Sequence, residues 1–275
     1  MSDDRPLSPA ITRTAFLSGA SAAFAFGLLG TTRATRADEH MLTQTIPASG
    51  EPLPVIGVGT WQGFDVGSGA SERLPLAQVL KALFDAGGSV VDSSPMYGLS
   101  EGVAGDLMAA ANARDKAFIA TKVWTRGRAE GIAQMERSMA LLRTKTIDLM
   151  QVHNLVDYKT HLDTLRGWQK DGRIKYIGVT HYTPSAFGEL EAVLRSEKLD
   201  FVQLNYAIDD RAAEKVLLPL AQERGLAVLV NRPFGGGSVL RRLKDKPLPA
   251  FAADVGCTSW AQLLLKFIIS HPAIT

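Results

Sequence analysis

The sequence predicts an α/β fold, a (β/α)8 TIM barrel with its eighth strand and C-terminal helices missing or incomplete. Three observations carry this. From Leu53 onward, short apolar runs alternate seven times with helical patterns, as βα units of a parallel sheet do. No Gly-rich phosphate fingerprint follows the first run, which argues against an open doubly wound sheet. Asp92, Lys122 and His153 stand at the carboxyl ends of three successive runs, where barrel enzymes do their chemistry.

Residues 38–52 read as an entry segment with short strands. Val55–Thr60 is the first strand, followed by a helix over Leu74–Phe84 that Gly87-Gly88 ends. Val90-Val91 is the second strand and 101–112 a helix. Ala117–Thr121 is the third strand. The helix from about Ala129 carries Ile132, Met135, Met139 and Leu142 on one face. Strand four runs from Ile147 to His153, and Leu162, Leu165 and Trp168 stripe the next helix as far as Gly172. Strand five is Tyr176–Thr180. Thr183-Pro184 then supply an N-cap and a first helical residue. Strand six is 201–204. Ala213, Val216, Leu217 and Leu220 read as one helical stripe, and strand seven is 226–230. After a loop containing Gly235-Gly236-Gly237, a last helix buries Trp260, Leu263, Leu264, Phe267 and Ile268. An eighth strand would begin only at Ala273-Ile274-Thr275, so the reading is of a truncated barrel.

Two regions are expected, a leader over 1–37 and the barrel domain over 38–275. Arg13 precedes the apolar, alanine-rich run Ala15–Leu29, and small residues at Thr35 and Ala37 suit cleavage after Ala37. This is a signal-peptide layout. It resembles a twin-arginine signal with Thr14 in place of the second arginine. Its partner would be the export machinery and its destination the periplasm. The apolar run is too short for stable membrane insertion. The net charge is +2, and the leader accounts for it: the remainder holds 26 basic and 26 acidic residues. That balance offers no nucleic-acid face. Cys257 is the only cysteine, which rules out an intramolecular disulfide and reads as a buried thiol. The histidines beyond His153 are too scattered for a metal site.

Asp92-Ser93-Ser94-Pro95-Met96-Tyr97-Gly98 places an acid at a strand end and a tyrosine five residues on, in a loop. A phenol with a pKa near 10 donates poorly to a carbonyl unless assisted. An ammonium alongside lowers that value. Lys122 is placed to supply it, with Asp92 holding Lys122 protonated. A ring N–H of His153 would orient the carbonyl oxygen. The matching reaction is hydride addition to a carbonyl, for which a nicotinamide is needed. Trp61 and Trp124 follow the first and third strands and would line an apolar pocket.

These motifs resemble the aldo-keto reductase family across Leu53–Thr275. Gly57-Val58-Gly59-Thr60, Asp92…Tyr97-Gly98, Lys122, Gln151-Val152-His153, Ile177–Thr180 and Gln203-Leu204-Asn205 match in order and spacing. The resemblance implies a small aldehyde or ketone as substrate and NADPH as hydride donor, with NADH not excluded. It implies Tyr97 as the acid, Asp92 and Lys122 as its tuners and His153 as the orienting group. It implies that Thr180, His181 and Gln203 hold the nicotinamide carboxamide, and Thr60 joins them as a cofactor residue. His181 stands where the family usually has Asn. Asn231 replaces the usual stacking aromatic and is itself expected at the cofactor with Phe234, while Arg232 is expected on a phosphate and Gly235-Gly236-Gly237 along the pyrophosphate. The alternatives from other classes are a non-catalytic nucleotide-binding regulatory barrel and an inactive fragment.

Overall fold

The computed structural model describes residues 41–275; the expected leader over 1–37 lies outside them. A hairpin of β1 (Thr43–Thr45) and β2 (Pro52–Pro54) comes first. Seven parallel strands follow: β3 (Gly57–Gly59), β4 (Val90–Asp92), β5 (Phe118–Val123), β6 (Ile147–His153), β7 (Ile174–His181), β8 (Phe201–Asn205) and β9 (Ala227–Asn231). Each pairs only with its sequence neighbours. Around them stand α1 (Ala70–Asp85), α2 (Ser100–Ala110), α3 (Arg128–Leu141), α4 (Tyr158–Lys170), α5 (Phe187–Ser196), α6 (Leu217–Glu223), α7 (Ser238–Leu243) and α8 (Trp260–Ile269).

Among the described residues no strand lies between β3 and β9. Thr275 bonds to β9: its N–H donates to Val228 O at 3.1 Å, and Val228 N–H donates to Thr275 Oγ1 at 3.1 Å. The architecture is therefore the expected barrel, with seven parallel strands among the described residues.

Strand side chains alternate with a period of two, and this alternation sorts the protein. Val91, Ile119, Met150, Ile177, Val179 and Val202 face the helices in the main core. The opposite set faces the barrel axis in layers. Its lower layer, Val90, Phe118, Leu149, Tyr176, Phe201 and Ala227, packs on Ile46 and Leu53 of the hairpin, which plug that end. Two or four residues further along the same faces come the polar groups: Asp92, Gln151 and Gln203 at two, and Lys122, His153, Thr180 and Asn231 at four. The register carries them side by side: Lys122 opposite Gln151, His153 opposite Thr180, Thr180 opposite Gln203.

Several boundaries differ from the sequence reading. The first barrel strand is only Gly57–Gly59, so Val55 and Ile56 precede it. Helix α1 starts four residues earlier, at Ala70, and contains Pro75. Pro184–Ala186 is a 3-10 turn ahead of α5, and Thr183 makes no side-chain cap bond. The stripe Ala213–Leu220 is two pieces, a 3-10 turn over Ala212–Lys215 and α6. Pro219 is the reason: its missing N–H and its ring are tolerated in a first turn but would break a helix running through it. Val216, at the junction, is exposed. Cys257 is buried and free, packed with Ala252 and Leu263.

Candidate active site

At the carboxyl end of the strands a cavity of about 630 Å³ runs down beside β3 and β9. Asp92, Tyr97, His153, Gln203, Asn231, Arg232, Phe234 and Gly236 line it, with Trp61, Met96 and Tyr182 nearer its mouth.

The best-defined group is the Asp92–Lys122 pair. Lys122 is 1% exposed. Its ammonium donates to both Asp92 carboxylate oxygens, at 2.9 and 2.8 Å, and to Ser93 O at 2.7 Å. An ammonium has three donors, so all are committed. Tyr97 sits beside the pair, with Lys122 Nζ 5.3 Å from its ring centroid. The consequence reverses one expectation. The Tyr97 hydroxyl is pushed up from the ordinary tyrosine value, first by burial and then by the Asp92 carboxylate. Lys122 does not lower it, because its charge is matched by Asp92 and all its hydrogens are spent. Tyr97 is thus held firmly in its protonated form.

His153 is 5% exposed and meets Tyr97 edge-on, ring centroids 6.1 Å apart. Burial, then the charges of Lys122 and His181, push its pKa down to about 3. It is neutral at physiological pH and retains one ring N–H. A 3.1 Å hydrogen bond joins Ser94 Oγ and His153 Nδ1. Nothing in the sequence pointed to Ser94, whose contact depends on how the turn before Pro95 folds back over β6.

Behind this layer Glu101, 2% exposed, accepts from Thr121 Oγ1 at 2.6 Å and Ser138 Oγ at 3.0 Å. Burial raises its pKa. It ties the start of α2, and hence the turn carrying Tyr97, to β5 and α3.

The remaining predicted residues divide into two groups. Gln203, Asn231, Arg232, Phe234 and Gly236 border the cavity, and Asn231 Oδ1 is a buried acceptor with no partner among the described residues. Gly235, Gly236 and Gly237 all take left-handed φ, at 59°, 65° and 87°, which suits glycine because it has no Cβ to clash there. Thr60, Thr180, His181 and Gly235 are not cavity walls. Thr60 Oγ1 donates to Ser93 Oγ at 2.8 Å. His181 Nδ1 accepts from Thr183 N–H at 3.2 Å, and its ring stacks on Tyr182. Tyr182, which the sequence reading passed over, has the Arg232 guanidinium 5.6 Å above its ring. Trp61 and Trp124 are 50% and 40% exposed. Trp61 lines the cavity, and the Trp124 ring is 6.4 Å from His153. The described residues hold no cluster suited to a metal ion and no helix long and apolar enough to cross a membrane.

Comparison with known proteins agrees with this fold. Methylglyoxal reductase YeaE of Escherichia coli (strain K12) is 29% identical over 243 residues, covering 85% of this chain and 84% of that protein. Glyoxal reductase of Bacillus subtilis (strain 168) is 25% identical, over 82% and 79% of the two chains. Among solved structures, an aldo-keto reductase from Klebsiella pneumoniae in complex with NADPH superposes with a TM-score of 0.71 at 26% identity. That match covers 85% of this chain and 84% of that one. Residues 55–275 match the sequence profile of the Aldo/keto reductase family, and the chain belongs to that family of oxidoreductases.

Proposed function

We propose that this protein reduces small aldehydes or ketones to alcohols, with Tyr97 as the proton donor. The convergence of Tyr97, His153 and the Asp92–Lys122 pair on one cavity wall carries the reading. Asn231 with its unpartnered oxygen, Arg232 and the glycine run fit a dinucleotide, and the NADPH bound by the Klebsiella relative makes that the cofactor of choice. Bound there, it supplies the hydride.

The chain does the rest. His153, neutral, donates a ring N–H to the carbonyl oxygen and orients it. As the carbonyl carbon becomes tetrahedral, its oxygen turns into an alkoxide, whose conjugate acid is about as weak as water. The Tyr97 hydroxyl remains a stronger acid than that even when burial weakens it, so its proton moves to the oxygen. Lys122, anchored by Asp92 and Ser93 O, fixes the wall beside which the Tyr97 ring sits. Trp61 and Met96 offer apolar surface for a short substrate. Export of the chain belongs to the same proposal and rests on the Arg13-led apolar run alone.

The experiment is NADPH consumption with methylglyoxal and a panel of short aldehydes, comparing Tyr97→Phe. The variant is expected to lose about 10²–10⁴-fold in kcat while still binding NADPH. Unchanged turnover would refute Tyr97 as the acid. Asn231, in place of a stacking aromatic, favours the second reading of a regulatory barrel. NADPH binding without turnover on the whole panel would select it.

A further inference from the structure

We infer that Ser94 is a positioning residue that fixes His153 as the Nε2–H tautomer, so that its one ring hydrogen faces the substrate cavity. Ser94 Oγ lies 3.1 Å from His153 Nδ1, and both residues are buried, at 0% and 5% exposure. Two arrangements satisfy that distance. Either the Ser94 hydroxyl donates to a bare Nδ1, leaving the hydrogen on Nε2, or Nδ1–H donates to Ser94 Oγ.

The second arrangement has a defect. The Ser94 hydroxyl hydrogen would then need another acceptor, and among the described residues Ser94 Oγ bonds to nothing but His153. A buried hydroxyl hydrogen without a partner is disfavoured by roughly tenfold or more. The first arrangement leaves no such orphan. Ser94 Oγ donates its hydrogen, Nδ1 accepts it, and Nε2–H is left to the cavity that the ring borders. A neutral ring is required, and burial beside Lys122 supplies it. The hydroxyl is the device because an alanine at Ser94 would leave the two tautomers without a preference from this side of the ring.

The inference deepens the proposed function and rests on it for its catalytic consequence only. The tautomer itself is measured without cofactor or substrate. In protein carrying ¹⁵N- and ¹³C-labelled histidine, His153→Gln identifies the His153 signals by their loss. The ¹⁵N and ¹³Cδ2 shifts of the wild type then report which nitrogen bears hydrogen.

The expected result is Nε2–H in the wild type and in Ser94→Thr, and values averaged between tautomers in Ser94→Ala. The kcat of Ser94→Ala should fall about tenfold on a short aldehyde, with the NADPH Kd unchanged. An Nδ1–H ring in the wild type, or a tautomer unaltered in Ser94→Ala, overturns the inference, whatever happens to activity. A wild type with the expected tautomer and no turnover leaves the inference standing and refutes the proposed reaction instead.

Discussion

The desolvated imidazole predicts how stability depends on pH. His153 titrates near 6.5 in an unfolded chain and at about 3 in the folded protein. Between those values the unfolded state binds the proton and the folded state does not, so stability rises with pH across that window. It is fully present above 6.5 and is lost as pH falls towards 3. At pH 4.5 the unfolded ring is two units below its own pKa while the folded ring stays neutral. At 1.36 kcal/mol per unit, His153 alone then removes about 2.7 kcal/mol relative to neutral pH. His153→Gln abolishes that contribution and leaves the other titrating groups in place, among them the raised Glu101 and Asp148 carboxyls, which act in the opposite sense. Urea unfolding of both proteins at pH 7.5 and 4.5 measures the difference. With a slope near 2.7 kcal/mol/M, the wild-type midpoint should drop by about 1 M more than the variant's. Equal drops would mean that the folded ring takes up its proton as readily as a solvated one, and the reasoning would fail.

Two further perturbations follow from the packing. Asp92→Ala strands the Lys122 ammonium, which is 1% exposed. Breaking a buried pair in this way costs about 3–5 kcal/mol, so thermal unfolding should fall by roughly 10 °C or more; a drop under 2 °C would show the ammonium reaching water. In α2, a Cβ added at Gly105 would stand 2.1 Å from Leu141 O, whereas one at Gly188 in α5 meets nothing within 4 Å. Gly105→Ala should therefore destabilise by about 3 kcal/mol and Gly188→Ala stabilise by about 0.5 kcal/mol, both read by denaturant titration.

The order of elements was legible because each barrel strand is a short apolar run bounded by turn residues. The residues bearing the chemistry were legible because an acid, a lysine and a histidine end three such runs in succession. What the sequence hid was stoichiometry and local geometry. Lys122 can be guessed to meet Asp92, but not that Ser93 O takes its third hydrogen and leaves none for Tyr97. That count depends on backbone geometry after β4. The broken stripe around Val216 was misread because a helical period ignores Pro219. Ser94 and Glu101 escaped notice because each acts through a partner more than 15 residues away, Ser94 on His153 and Glu101 on Thr121 and Ser138.

The layering along the barrel axis has an implication for how such a protein tolerates change. In β5 the same face carries Phe118 in the apolar floor and Lys122 in the polar tier, four positions on. Function and foundation therefore share one reading frame. Inserting a single residue between them would rotate the ammonium outward among the helices while leaving the floor intact. Within its strands this chemistry is altered by exchanging letters, and only elsewhere by adding or deleting them.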